Sequence, residues 1–174
     1  MSDPVPSKPR KDWVIDQARS FIIKADINWL PVNPFEIAQK FGWETLTTSA
    51  LASRTGIPRR FVIIGKDSNI HTFGGRYKIV YNEDAYYKRV PFTIAHEIGH
   101  IVLEHRKFSK TGIFSEGLTE EENAVLDREA DIFAAELLMP SLILRKLGVS
   151  TAEEIANICG VSFKTADIIN PVSK

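Results

Sequence analysis

The segment "PFTIAHEIGH", residues 91–100, contains two of the chain's four histidines, four residues apart, with Glu97 directly after the first. Residues i and i+4 lie one turn apart on the same face of an α-helix, so His96 and His100 can present two imidazole nitrogens to one metal ion. Zinc is the usual ion at such a site. Glu97 lies close enough to hold a water molecule and take its proton without binding the ion. The segment therefore predicts a zinc-binding helix that carries a catalytic glutamate.

Apolar residues surround this motif and predict that its helix lies in the core. They are Ile94, Ala95, Ile98, Ile101, Val102 and Leu103, and Gly99 among them lets another segment come close. Two histidines on so apolar a helix need polar partners. A His-Glu-x-x-His motif arises by chance in roughly one chain in a hundred of this length, so a third ligand has to support the interpretation.

The third zinc ligand has to come from outside the motif. A catalytic zinc site has three protein ligands and an open fourth position, and the place of a third histidine, six residues after His100, is taken by Arg106. In the helix predicted at residues 118–140, the candidate acidic residues are Glu120, Glu121, Glu122, Asp127, Glu129 and Asp131. The first three suit the first turn of a helix. Asp127 and Asp131 share a face with two alanines, so one of them could bind zinc while the other holds a ligating histidine.

The remaining periodicities predict an α+β fold, in which a small antiparallel or mixed sheet packs on helices. We expect a helix at residues 12–25 and another at 34–41, with Asn33 and Glu36 as a capping box and Gly42 at its end. We expect strands at residues 43–48, 59–65 and 76–82, with residues 66–75 as a hairpin connection.

The second half of the chain is predicted to be helical. The zinc-binding helix is expected within residues 87–105, and the long helix that follows begins with Thr119 and Glu122 as a capping box. Residues after Pro140 predict three short helices, the last two of which form a C-terminal helical pair.

Composition limits the possible partners. Lys+Arg and Asp+Glu number 22 each, which provides no basic surface for nucleic acid, and no segment approaches the roughly 18 apolar residues of a membrane span. The single cysteine, Cys159, suits a reducing compartment and is expected in the core. We therefore expect a soluble cytoplasmic protein that binds neither nucleic acid directly nor a membrane.

The segments "FTIAHEIGHIVLEH" (residues 92–105) and "DREADIFAAELLMP" (residues 127–140) together resemble the ImmA/IrrE-type zinc metallopeptidases. The segments "LPVNPFEIAQKFGW", "GRYKIVYNED" and "EEIANICGVSFKTAD" are similar to other parts of that family, so the resemblance covers about residues 12–170. It implies one zinc ion per chain and hydrolysis of a peptide bond in a partner protein. Members of the family cleave or inactivate a helix-turn-helix transcriptional repressor, so the resemblance also implies a role in derepression.

The resemblance assigns residues to the site. It implies that His96 and His100 bind zinc and that Glu97 is the catalytic residue. The family's third ligand is usually a glutamate four residues before an asparagine or aspartate, and "DREAD" has Asp127 in the first position and Asp131 in the second. Aspartate is one methylene shorter than glutamate, so the two helices must lie closer together for Asp127 to reach zinc.

The resemblance also implies a substrate site and domain limits. An extended peptide would pair with an exposed edge strand, for which residues 76–82 are the candidate, with Tyr77, Ile79 and Tyr81 as substrate-binding residues. The alternative is that both tyrosines simply pack in the sheet. The expected limits are a flexible N-terminal arm at residues 1–11, a zincin-like metallopeptidase domain at 12–139 and a C-terminal helical appendage at 140–174.

Several alternatives stay open. Glu129 is the alternative to Asp127 as third ligand. "TAEEIANICGVSFKTADII" could be a DNA-binding helix-turn-helix in a DNA-associated regulatory protein, but Lys164 is the only basic residue of its second half, so a closing helical pair is favoured. The protein could also sequester its partner without cleaving it, or cleave a different target.

Overall fold

Helix α1 (Lys11–Lys24) and helix α2 (Pro34–Lys40) begin the fold, in a computed structural model that describes residues 3–63, 67–109 and 117–169. Both helices lie where the sequence predicts them. At the start of α2 the side chain of Asn33 accepts a hydrogen bond from the Phe35 amide at 3.1 Å. Glu36 differs from the predicted capping box, because it accepts a hydrogen bond from the side chain of Asn33 at 2.9 Å.

Three strands form a mixed sheet in the order β1-β3-β2. They are β1 (Glu44–Thr47), β2 (Ser68–Phe73) and β3 (Arg76–Tyr81), with β1 parallel and β2 antiparallel to β3. Strand β2 lies within the segment predicted to be a connection, so that prediction is wrong. The hairpin turn is the dipeptide Gly74-Gly75, whose φ angles of 57° and 76° suit a tight connection between Phe73 and Arg76.

The prediction of a strand at residues 59–65 is also wrong for the residues that the structure describes. Residues 59–61 form a 3-10 helix, and residues 64–65 lie outside the described part of the chain. Val62 and Ile63 of this stretch pack against the sheet instead of extending it. Val62 is buried in one cluster with Leu46 of β1 and Val80 of β3, together with Leu51 of helix α3 (Thr48–Thr55).

The opposite face of the sheet rests on the main core. Ile70 and Ile79 contribute to a buried cluster shared with α1, α2, helix α4 (Val90–Val102) and helix α5 (Glu120–Leu138). Helix α4 packs against both β2 and β3 as well as α5, so its polar residues lie between the sheet and a second helix. Helix α5 begins with the predicted capping box of Thr119 and Glu122.

Gly99 is the point of closest approach between α4 and α5. A Cβ atom at this position would lie 3.2 Å from the Cα and the carbonyl oxygen of Ala130 and from the Cβ of Phe133. Two of these atoms belong to the backbone and cannot turn away. The small residues predicted to let the two helices approach therefore do so, and they fix the distance between the side chains on either side.

The C-terminal part packs against the end of α5. Helices α6 (Ser141–Lys146), α7 (Ala152–Cys159) and α8 (Phe163–Ile169) surround a cluster that includes Met139, Leu144, Ile155 and the buried Cys159. Helices α7 and α8 pack against each other, as predicted. The architecture is α+β, with a small mixed sheet between helices. Within the described ranges, no helix has the length and apolar character needed to cross a membrane.

Candidate metal centre

Three donor atoms from α4 and α5 converge on one point. The Nε2 atoms of His96 and His100 are 3.0 Å apart, and the nearer carboxylate oxygen of Asp127 lies 3.3 Å from His100 Nε2 and 4.0 Å from His96 Nε2. Three ligands bonded to zinc at about 2.0–2.1 Å with tetrahedral angles lie about 3.3–3.4 Å from one another. Two imidazoles and a carboxylate are also donors that zinc accepts, so the residues present fit this ion.

His96 is oriented by the second aspartate of the predicted pair. Its Nδ1 atom lies 2.9 Å from Asp131 Oδ1, so Nδ1 carries the proton and the lone pair of Nε2 is directed at the cluster. Burial alone would lower the pKa of His96, but the hydrogen bond to Asp131, assisted by the negative charges of Glu97, Asp131 and Asp127, raises it. The structure therefore brings Asp131 to the place that the sequence predicts for it.

His100 is oriented from the opposite side by another histidine. Its Nδ1 atom lies 2.8 Å from Nδ1 of His105, and Nε2 of His105 lies 3.2 Å from an oxygen of Glu129. Burial lowers the pKa of His100 to about 3, with the nearby histidines adding to the effect and the Asp127 carboxylate opposing it. The ring is neutral near pH 7, which is the state that binds a metal ion.

His105 lies far deeper than the sequence suggests. We expect it from the sequence to cap its helix or lie near the surface, yet only 2% of the residue is exposed. Glu104 has a φ of 56°, so the chain reverses directly after α4 and a short 3-10 helix, His105–Phe108, places the His105 ring beside His100. Burial lowers the pKa of His105, although the hydrogen bond to Glu129 opposes this shift.

Glu129, the alternative third ligand, has other partners. It is fully buried and accepts three hydrogen bonds from Arg10, from the backbone amide at 2.8 Å, from Nε at 2.8 Å and from Nη2 at 2.7 Å. Burial would raise the pKa of Glu129, but the hydrogen bonds from Arg10 and then from His105 lower it to about 2. The group of residues placed to share a metal ion contains Asp127 and not Glu129.

The same contacts involve the last residues of the segment expected to be an N-terminal arm. Arg10 and Lys11 belong to the segment predicted to be flexible, but α1 begins at Lys11 and Arg10 is held by Glu129. The guanidinium also lies 4.0 Å from the ring centroid of Trp13 and 5.8 Å from that of Phe108. The sequence gives no sign of this anchor, because Arg10 lies in a polar, proline-rich stretch.

Glu97 lies between the metal centre and the sheet. It is 7% exposed, and its Oε1 atom accepts a hydrogen bond of 2.5 Å from the hydroxyl of Ser68, the first residue of β2. The sequence does not predict Ser68, because the residue lies in a segment that resembles a connection. The bond joins Glu97, the neighbour of His96 in α4, to the first residue of β2.

The prediction that residues 76–82 form an edge strand of the sheet is wrong. Strand β3 is central, with residues 78–81 paired to β1 on one side and residues 76–81 paired to β2 on the other. Ile79 has no exposed surface, so its side chain cannot contact a substrate in this arrangement. Tyr77 and Tyr81 are half-buried against the main core, and Tyr81 lies edge-on to Phe35 at 5.5 Å. The open edges of the sheet belong to β1 and β2.

Comparison with known protein families gives one match. The model of a peptidase family, described as the IrrE N-terminal-like domain, matches residues 52–168, which include α4, α5 and all the residues of the cluster. A search of curated proteins finds no match to the chain.

Proposed function

The chain belongs to this IrrE N-terminal-like peptidase family, and on that premise we propose that it is a zinc-dependent endopeptidase that cleaves a partner protein. The observation that supports the proposal most strongly is the convergence of His96, His100 and Asp127, next to a buried Glu97 whose negative charge acts on the His96 ring. A site with three protein ligands leaves a fourth position for water or substrate, as in catalytic zinc sites. A purely structural zinc site has no use for the glutamate.

The residues of the site would divide the chemistry of peptide hydrolysis. When bound, zinc supplies a Lewis acid that makes water more acidic and polarises a carbonyl group. Glu97 takes the proton of the attacking water as its oxygen bonds to the carbonyl carbon. As the carbon–nitrogen bond breaks, Glu97 passes this proton to the leaving amine. Asp131 keeps His96 in the tautomer that directs Nε2 at the ion.

The proposed substrate pairs with the outer edge of β2. An extended peptide can add a strand to an open sheet edge, where main-chain hydrogen bonds hold it. Of the two open edges, β2 is the one tied to the site, because Ser68 at its start bonds Glu97. A peptide along this edge would place a carbonyl group near Glu97.

The partner and the compartment remain part of the proposal. We infer from the family resemblance that the substrate is a helix-turn-helix repressor, whose cleavage derepresses transcription. Such a repressor is found in the cytoplasm, which agrees with a chain containing a single, buried cysteine.

The first test compares the wild type with Glu97→Gln. The amide cannot accept the proton, so we expect about one zinc per chain in both proteins, with cleavage of a helix-turn-helix repressor encoded beside this gene slower by about 10²–10⁴-fold in the variant. Glu121→Gln is the matched control, because Glu121 is exposed in the first turn of α5. Metal analysis and gel-based cleavage rates provide the readouts.

A second measurement, of repressor binding to its operator DNA, can contradict the proposal. Should Glu97→Gln release the repressor from its operator as well as the wild type does, the protein acts by sequestration and the peptidase proposal fails.

A further inference from the structure

A chain of polar side chains runs inward from the N-terminal segment to a proposed zinc ligand. Arg10 bonds Glu129 through both guanidinium and backbone, Glu129 bonds His105, and His105 bonds His100. Glu129 and His105 are 0% and 2% exposed, and the side chain of Arg10 is 32% exposed. The two middle members are therefore shielded from solvent, whereas Arg10 reaches it and His100 faces the cluster of donors.

The direction of each hydrogen bond follows from the charge at the Glu129 end. Glu129 is a carboxylate that can only accept, so Nε2 of His105 must carry the proton that it shares with Glu129. A neutral His105 then has a lone pair on Nδ1, and among the described residues Nδ1 of His100 faces this lone pair. His100 must donate from Nδ1, which leaves the lone pair on Nε2. That is the atom directed at His96 and Asp127.

From this geometry we infer that Arg10, Glu129 and His105, here called the Arg10 relay, are positioning residues that fix the tautomer and orientation of His100 for metal binding. The inference rests on the proposed function, in that it takes His100 to be a zinc ligand. It adds three residues that act through His100 and do not touch the ion. It also makes the N-terminal segment a part of the metal centre.

The surroundings of Arg10 support a fixed position for the relay. Its guanidinium lies between the rings of Trp13 in α1 and Phe108 in the 3-10 helix that carries His105. The backbone amide of Asp3 also donates to the carbonyl of Lys107 in that 3-10 helix, at 3.3 Å. The N-terminal segment therefore contacts both the acid and the short helix on which the relay depends.

The chain offers a matched control for this network. Arg19 of α1 bonds Glu136 of α5 at 3.2 Å, one heptad beyond the contact between Arg10 and Glu129. This second bridge also joins an arginine to a buried glutamate of α5, but its further contact is with Ser141 and not with a histidine. Arg19→Gln therefore removes a comparable bridge without altering the metal centre.

The first experiment measures zinc affinity by competition with a chromophoric chelator. Loss of a partner that orients a ligating histidine weakens metal binding by about 10–100-fold, and we expect this for His105→Phe. For Arg10→Gln we expect about 3–10-fold, because two residues, Glu129 and His105, lie between it and His100. Arg19→Gln should bind zinc within about twofold of the wild type. Unfolding curves of the metal-free variants show how much stability each one has lost.

The possible outcomes distinguish a failure of the Arg10 relay from a failure of the proposed zinc site. If His105→Phe and Arg10→Gln bind zinc as tightly as Arg19→Gln does, the relay only supports the fold and the inference is overturned. If the wild type itself binds no zinc, the proposed function fails as well, and that result is recognised before any variant is compared.

A second experiment needs neither zinc nor a variant. Nitrogen-15 NMR of the metal-free wild type reports which ring nitrogen of each histidine carries the proton. The relay predicts a proton on Nε2 of His105 and on Nδ1 of His100. A proton on Nδ1 of His105 would overturn the inference even if the protein binds zinc.

Discussion

Asp127 is an aspartate at the position where the resembled family usually has a glutamate, and its carboxylate nevertheless lies 3.3 Å from His100 Nε2. A shorter ligand requires closely spaced helices, and α4 and α5 are close at Gly99, where an added Cβ atom would lie 3.2 Å from the backbone of Ala130. Zinc binding by Asp127 therefore depends on the distance between α4 and α5. The sequence motif alone does not give this distance.

Substitution of Asp127 tests this dependence. Asp127→Ala removes one of three ligands, so zinc affinity should fall by more than the roughly 10–100-fold that loss of an outer partner costs. Asp127→Glu should recover only part of this loss, because the longer side chain does not fit the same helix spacing. Chelator competition measures both. Full affinity in Asp127→Ala would remove this residue from the site.

The sequence predicts the centre of the site but not its support. His96, Glu97 and His100 follow from helical spacing, and Asp127 and Asp131 follow from a shared helix face. His105 could not be predicted, because its position depends on the reversal of the chain at Glu104. For Glu129 there was a signal, since it falls on the buried stripe of α5 with Leu126, and a buried acid requires a partner.

At the scale of elements, the packing of α4 on α5 controls the geometry of the site. Because a Cβ atom at position 99 would lie 3.2 Å from the Cα and the carbonyl oxygen of Ala130, a methyl group there must move one helix by a few tenths of an ångström. Side chains on both helices contribute donors, so such a movement separates His100 from Asp127.

We predict that Gly99→Ala weakens zinc binding and destabilises the fold by about 1–3 kcal/mol, the usual range for overpacking a tightly packed core. Gly42→Ala is the control, since Gly42 has a φ of 73° with open space around it and should cost only about 1–2 kcal/mol of backbone strain. Chemical denaturation and zinc titration measure the two effects. Unchanged zinc affinity in Gly99→Ala would show that helix spacing does not set the site.

A second link between elements joins the end of β3 to α3. The carboxylate of Glu83 accepts hydrogen bonds from the amides of Thr48 and Ser49 and from both hydroxyls at the start of α3. Burial would raise the pKa of Glu83, but these hydrogen bonds lower it to about 2. A carboxyl group with a lowered pKa stabilises the fold above its unfolded value of 4.5, and this contribution is lost as the pH falls towards 2.

Glu83→Gln should therefore remove part of the pH dependence of stability. We expect the wild type to lose about 2–3 kcal/mol more of its unfolding free energy than the variant does between pH 5 and pH 2, because folding lowers the pKa of Glu83 from 4.5 to about 2. Glu153→Gln, at an exposed position in α7, should behave as the wild type. Urea unfolding at several pH values measures this, and parallel curves for Glu83→Gln and wild type would refute the assignment.

On the scale of the whole molecule, helices were easier to predict than strands. The helices carry caps and apolar stripes that are visible locally, as at Thr119. The order β1-β3-β2 depends on pairing between segments distant in sequence, so residues 76–82 could be recognised as a strand but not as the central one. Strand β2 was hidden in a polar stretch, although the Gly74-Gly75 dipeptide that follows it is a hairpin signal.

The contact between Arg10 and Glu129 also joins segments that are distant in sequence. Arg10 reaches a residue 119 positions away, so nothing near it in the chain indicates its partner. It can be found only once α1 and α5 pack side by side, and it makes the metal centre a product of the entire fold.

The central claim is that His96, His100 and Asp127 hold one zinc ion beside Glu97. The most direct measurement is a crystal structure of the zinc-loaded protein with anomalous data on both sides of the zinc absorption edge. We predict one anomalous peak, at about 2.0–2.2 Å from Nε2 of both histidines and from a carboxylate oxygen of Asp127. A peak bonded to Glu129, or no peak between α4 and α5, would contradict the account.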